Sequence, residues 1–142
     1  MEEQFVIEQI APIVTRRLRQ KVLYPNQHLD SVMLKEDNSG VHFGLYTSNA
    51  LIAVVSLFLY DEQARFRKFA VENNYQNQGY GSKLLQYITD YTANESISTL
   101  WCHARNTAVP FYKKNGFTKV GQPFKKGNII YVKMEKPLTN IH

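Results

Sequence analysis

Val71-Glu72-Asn73-Asn74-Tyr75-Gln76-Asn77-Gln78-Gly79-Tyr80-Gly81-Ser82 is the stretch on which the reading of this chain turns. Upstream of it, Arg65–Glu72 reads as a strand rich in aromatic and β-branched residues. Downstream, Leu84, Leu85, Ile88 and Tyr91 recur at helical spacing. The quoted residues therefore join a strand to a helix, with two glycines at i and i+2 where the helix begins. At such a junction several backbone N–H groups point one way, and with the helix dipole they form an anion site. A Cβ would keep the main chain from approaching a phosphate closely, which is the use of glycine there. A polar surface loop that needs glycine only for its turn would show the same two residues. A nucleoside-triphosphate loop is excluded because no Gly-Lys-Ser/Thr follows. The dinucleotide fingerprint is excluded because its third glycine and the repeated βαβ pattern are missing.

Outward from this junction the order of elements is β, α, β, β, β, α, β, α, β, β. Gln4–Gln9 alternates as a short strand, and Ala11–Val22 carries Ile13, Val14, Leu18 and Val22 at helical spacing with Pro12 in its first turn. Tyr24–Gly40 is irregular. His42–Thr47 and Ala50–Tyr60 are strands joined at Ser48-Asn49 as a hairpin. Ser98–His103 is a further strand, Thr107–Asn115 a helix stopped by Gly116, and Phe117–Gly121 and Ile129–Lys136 the last strands. This order predicts an α/β (α+β) fold with a mixed, mostly antiparallel central sheet of six to seven strands flanked by helices.

Gln76-x-x-Gly79-x-Gly81 resembles the Gln/Arg-x-x-Gly-x-Gly/Ala signature of the GNAT N-acetyltransferase superfamily. The segment Asn106-Thr107-Ala108-Val109-Pro110-Phe111-Tyr112-Lys113-Lys114-Asn115-Gly116-Phe117 is similar to that family's later block, an Ala followed by an aromatic-Tyr pair and Gly-Phe. The resemblance covers about residues 40–136 and, more weakly, the first helix. The run of Arg19, Val22, Leu23 and Pro25 resembles a subgroup of small bacterial members. The resemblance implies one acetyltransferase domain over residues 1–142, with splayed central strands and acetyl-coenzyme A as cosubstrate. The acceptor is then a small-molecule or peptide amine.

The resemblance also assigns roles. Amides around Gln76, Asn77, Gln78, Gly79, Tyr80, Gly81 and Ser82 hold the pyrophosphate, and the backbone of Phe69, Ala70 and Val71 pairs with the pantetheine arm as an added strand. An N–H near Val71 stabilises the thioester oxyanion. Tyr112 is the general acid for the departing thiolate; a helix-face tyrosine packed on the sheet is the alternative. Where relatives have Asn seven residues before this Tyr, the chain has Arg105, and Asn106 lies one residue late. Asn106 is thus a cofactor contact or a helix cap. Glu72, His103 or a water chain is the general base. Arg19 and Tyr24 either contact the acceptor or pack the loop after the first helix. Lys113 and Lys114 are candidates for the 3′-phosphate.

Composition narrows the classes. The formal charge of +5 admits nucleic acid, a membrane surface or an anionic small molecule. The basic residues are scattered, with no tail or recognition helix, so no nucleic-acid partner is expected, and a polyphosphorylated cofactor explains the same excess. The chain opens Met-Glu-Glu-Gln without a signal pattern, and its longest apolar run, 50–60, is too short to span a bilayer. The single cysteine, Cys102, excludes an intramolecular disulfide and points to the cytoplasm. Cys102 and His103 face opposite sides of a strand and cannot act as a pair. His28, His42, His103 and His142 lack metal-ligand spacing, so no metal is expected. A catalytically silent acyl-coenzyme A sensor on the same fold is the competing reading, and both monomer and homodimer fit.

Overall fold

A computed structural model describes residues 4–138; His142 and the first three residues lie outside them. Seven strands form one sheet: β1 Val6–Ile10, β2 Val41–Thr47, β3 Ala50–Tyr60, β4 Gln63–Val71, β5 Thr99–Arg105, β6 Thr118–Lys126 and β7 Ile129–Pro137. Their order across the sheet is β1-β2-β3-β4-β5-β7-β6. Every pairing is antiparallel except β4 with β5. The expected mixed, mostly antiparallel sheet is the one found.

Local chemistry explains the hairpins. Ser48 and Asn49 both take left-handed φ, at 50° and 65°, in a two-residue loop that matches the strand twist. Gly127, at φ 62°, opens the equivalent loop between β6 and β7. Helix α2, Tyr80–Asn94, buries Leu84, Leu85 and Ile88 on the sheet. Its two buried threonines return their hydroxyls to the carbonyls four residues back, Thr89 to Leu85 at 2.7 Å and Thr92 to Ile88 at 2.5 Å, so no polar group is stranded. Helix α3, Val109–Lys114, is shorter than expected: residues 106–108 form a 3₁₀ turn before it, and Gly116 closes it at φ 91°. With β2–β5 and β7, these helices enclose the main core, which includes Phe43, Phe66, Leu100, Phe117 and Met134.

The first helical segment, on the opposite face, departs from the expected regular helix. It passes through a 3₁₀ turn, Pro12–Thr15, a single α-turn, α1 Arg16–Leu18, and a π-turn, Arg19–Leu23. The reason lies in Arg19, which is fully buried and not on a solvated face. Its guanidinium grips Asp37 with two bonds, Nη1 to Oδ2 at 2.8 Å and Nη2 to Oδ1 at 2.9 Å. It also donates to Ser56 Oγ at 2.8 Å and to the Val32 carbonyl at 3.2 Å. His42 completes the ring, its Nε2 donating to the Asp37 carbonyl at 2.8 Å and its Nδ1 2.7 Å from Ser56 Oγ. The wide turn brings a charged side chain inward to tie the 29–39 segment to β2 and β3. Of the two roles expected for Arg19, it therefore packs the loop. Burial by itself would raise the Asp37 carboxyl, but hydrogen bonds from Arg19 and the Leu34 amide, with the Arg19 charge, hold it below its ordinary value.

Replacing Arg19 by Met strands a buried carboxylate and is expected to cost about 3–5 kcal/mol in urea unfolding. Because the folded Asp37 pKa lies below the unfolded 3.8, its contribution is complete above that value and is lost as pH falls through the folded one. Asp37→Asn is accordingly expected to flatten the loss of stability below about pH 4, measured by denaturant titration at stepped pH.

Candidate active site

The central strands part where the sequence needs a cleft. β4 and β5 pair only through Gln63↔Thr99, Ala64↔Leu100 and Arg65↔Trp101. Beyond that, β4 continues beside β3 to Val71↔Ala53, and β5 beside β7 to Arg105↔Tyr131. Each diverging strand keeps its outer partner, so the gap exposes one edge of each. A β-bulge sharpens the divergence: β4 uses Lys68 and Phe69 opposite the single Val55, and Lys68 takes a left-handed φ of 57°. The resulting cleft holds about 1120 Å³, enough for a large cosubstrate and a small acceptor.

At the wide end of the gap lies the glycine junction. Gly79 stands at the N-cap of α2 with φ 88°, and no side chain caps the helix. A Cβ placed on Gly79 would meet no atom within 4 Å, so the space before the helix start is open. Gln76 stitches the loop beneath, donating from Nε2 to the Val71 carbonyl at 2.9 Å and to Asn73 Oδ1 at 3.1 Å. Gln78 does the same through the Asn74 carbonyl at 2.9 Å. Asn115 braces the other side, its Nδ2 3.3 Å from Ser82 Oγ. The loop is held by its own side chains while the helix amides stay uncapped. That arrangement fits an oxyanion such as a phosphate.

Of the residues expected at the site, Phe69, Ala70 and Val71 line the cleft on β4, and Gln76, Asn77, Gly79, Gly81 and Ser82 line its wide end. Tyr112 and His103 line its inner walls. The others stand outside. Tyr80 is buried in the core against Tyr75, and Gln78 is turned to Asn74. Asn106 neither lines the cleft nor caps a helix, since the N-cap of α3 is Ala108. Arg105, one residue earlier, lines the cleft and donates to the Leu23 carbonyl at 3.2 Å, tying β5 to the end of the π-turn. Glu72 does not face the cleft: its carboxylate bonds Lys21 and lies 3.9 Å from Arg17. As a general base it would have to leave both cations.

Tyr112 is buried among Phe66, Phe111 and Phe117, and its hydroxyl is close enough to the Cys102 thiol for the two groups to influence each other's titration. Burial pushes the phenol well above its ordinary value, so it keeps its proton at neutral pH. Burial likewise raises the Cys102 thiol to about 12, which removes it as a nucleophile. His103 is packed edge-on between Trp101 and Phe124, on the opposite face of β5 from Cys102. Arg65 Nη2 lies 3.1 Å from its Nδ1. A guanidinium only donates, so Nδ1 is the acceptor and Nε2 carries the proton. Burial first, then the charges of Arg65 and Lys133, lower the His103 pKa. Sequence reading missed Arg65, Arg67 and Lys68 as cleft residues. For Arg65 and Arg67 the signal was the alternation with Ala64 and Phe66, which places them on the face away from α2; Lys68 joins them only through the bulge, which no sequence period marks. Lys68 Nζ bonds the Tyr24 hydroxyl and sits 4.5 Å above that ring; burial and neighbouring cations lower its pKa to about 8.

The acetyltransferase (GNAT) domain family model matches residues 4–138, nearly the whole chain. The chain belongs to the GNAT acetyltransferase family. A curated relative in Bacillus subtilis, the uncharacterized N-acetyltransferase YitI, is 29% identical over 119 residues, 78% of this chain and 80% of that protein. A crystal structure from Lactobacillus plantarum, provisionally assigned as an N-acetyltransferase, superposes with a TM-score of 0.86 at 22% identity, covering 95% of this chain and 99% of that one. A GNAT family acetyltransferase from Elizabethkingia anophelis with acetyl-CoA bound has the same fold, with a TM-score of 0.78, 20% identity and coverage of 96% and 100%. This GNAT chain is an acyltransferase by family. Among its described residues no helix is long and apolar enough to cross a membrane, and no group of three or more His, Cys, Asp or Glu is placed to hold a metal.

Nuclear magnetic resonance of His103 is expected to show the Nε2–H tautomer and a midpoint below 6.5. Arg65→Gln should move that midpoint up, because it removes a neighbouring positive charge. An unchanged midpoint would mean that the guanidinium does not face the ring.

Proposed function

We propose that the chain, working as a single domain, transfers the acetyl group of acetyl-coenzyme A to a primary amine by direct attack in a ternary complex. The observation that carries this reading is the pairing of an uncapped helix start, open at Gly79, with an unpaired stretch of β4 that leads from it into the sheet. A diphosphate suits the first, and an extended amide-bearing arm suits the second, since free strand edges bond added strands. Gly79, Gly81, Ser82 and the loop from Gln76 would hold the phosphates, with Lys114 at the same end of the cleft. Main-chain donors of Phe69–Val71 would bind the arm and polarise the thioester carbonyl.

Attack of the amine nitrogen on the carbonyl carbon breaks the carbon–sulfur bond and releases a thiolate. Tyr112 supplies the proton for that thiolate, because burial keeps its hydroxyl protonated and the motif places it on the cleft wall. The proton lost by the amine goes to water, and Tyr112 regains from water the proton it gave up, so the enzyme returns to its starting state. His103 can assist only through its ring orientation, since Arg65 occupies Nδ1 and Nε2 is already protonated. Proximity and oxyanion stabilisation supply most of the rate.

Tyr112→Phe is expected to lower kcat by about 10²–10⁴ while the Kd for acetyl-coenzyme A, by calorimetry, stays within about twofold. Gly79→Glu should weaken that Kd by more than about tenfold, or 1.4 kcal/mol, since its carboxylate would enter the phosphate space. Gly79→Asn, a residue type that tolerates left-handed φ, controls for backbone strain. Normal coenzyme binding by Gly79→Glu would remove the phosphate-cradle reading.

A further inference from the structure

The face of the cleft away from α2 and α3 carries one sign of charge. Arg65, Arg67, Lys68, Arg105 and Lys126 all line it, and among the described residues no Asp or Glu does. Only Arg67 has an acidic partner, Glu36. Arg65 lies over Trp101, its guanidinium carbon 4.9 Å from the ring, and bonds His103. Lys68 bonds Tyr24, and Arg105 a main-chain carbonyl. These partners orient the cations and leave their charge uncompensated. Two carboxylates on neighbouring segments are spent elsewhere: Asp37 on Arg19, Glu72 on Lys21 and Arg17.

Coenzyme phosphates do not account for this group. The phosphate cradle starts beyond Val71, and Arg65 lies six residues back along β4, about 20 Å at strand rise. Arg65 also marks the last paired position of β4 and β5, the closed end of the gap. An arm threaded from the cradle points its acyl end toward these residues. They therefore face whatever approaches the thioester from the other side. Low-dielectric walls focus the field of such a group, so an incoming polycation is repelled and an anion is drawn in. Arginines fixed by an aromatic ring and a histidine present planar donor forks suited to a carboxylate or phosphate.

We propose that the acceptor is a small amine that also bears an oxyanion, a carboxylate or a phosphate, which docks on Arg65 and its neighbouring cations while the amino group meets the thioester. This rests on the acetyl-transfer reading above and names its acceptor class. The same field serves the chemistry: positive neighbours disfavour an ammonium, so the docked acceptor is biased toward the free amine that attacks.

The test is thiol release from acetyl-coenzyme A across paired acceptors: amino acids against their carboxamides, phosphoethanolamine against ethanolamine, and spermidine and an aminoglycoside as polycations. Acids are expected to exceed their neutral partners in kcat/KM by at least tenfold. Preference for the amino acids or for phosphoethanolamine tells which oxyanion is meant. Arg65→Met should lower kcat/KM for the acid at least tenfold and so erase its preference over the carboxamide, with the acetyl-coenzyme A Kd within about twofold of the wild type. Equal use of acid and amide, a preference for polycations, or coenzyme binding without transfer to any anionic amine would overturn the assignment and leave the coenzyme site standing. Loss of coenzyme binding in the wild-type chain would instead remove the acetyl-transfer reading beneath it.

Discussion

The parallel contact between β4 and β5 lasts three residues, and the rest of the molecule is arranged around its failure to continue. Main-chain donors and acceptors along an unpaired strand are costly to bury without partners. Here they face a cleft, where water or a ligand can bond them. What makes the opening tolerable is that neither strand is left alone: β3 holds β4 and β7 holds β5 along nearly their whole lengths. The bulge at Lys68 turns the free edge at mid-strand, and the backbone strain it carries is confined to one residue at φ 57°. A uniformly paired sheet from the same strands would have no room for an extended arm.

The opposite constraint is the buried ring of Arg19, Asp37, Ser56 and His42. It brings nothing into the cleft, yet it sets one wall. By fixing the loop after the first helical segment to β2 and β3, it lets Tyr24 lean over β4 and lets Leu23 offer its carbonyl to Arg105. A buried ion pair is weak evidence for net stability, since apolar packing could replace it. Its use is specificity of position: two bonds to one carboxylate fix both distance and plane. The irregular helix, with its π-turn at Arg19–Leu23, is the local conformation that lets an arginine reach inward.

Much of this was legible in the sequence, for reasons that differ by element. The hairpin at Ser48-Asn49 and the face of α2 follow from patterns a few residues long, turn chemistry in one case and a 3.6-residue period in the other. Gly79 and Gly81 could be placed because the order of strand, loop and helix is itself local. The shape of the first helix could not, because Arg19 finds its partners at 37 and 56, and no local period marks an arginine as core. Asn106 misled for a related reason: an Asn before a helix suggests a cap, but the helix proper begins at Val109, after a 3₁₀ turn. Glu72 sat in the right part of the chain, yet its carboxylate follows Lys21 and Arg17 on the first helical segment, again a contact across distance.

The charge count reads differently once the fold is known. A net +5 spread thinly along the chain suggests nothing beyond an anionic ligand somewhere. The sheet converts it into two separate sites. One offers the uncapped helix amides at Gly79, with Lys114 as the one cation assigned to that end; the other gathers cations from β4, β5 and β6 on a single face. Main-chain donors bind a phosphate without carrying a full charge, so a coenzyme bound there, as proposed, would need few lysines. A field made by fixed guanidinium groups persists at any pH a cell reaches, whereas Lys68, at about 8, would respond within it. In the acetyl transfer proposed above, catalysis without a carboxylate base would follow from the same arrangement. Where the surroundings already disfavour an ammonium, deprotonation costs less, and water suffices to carry the proton away.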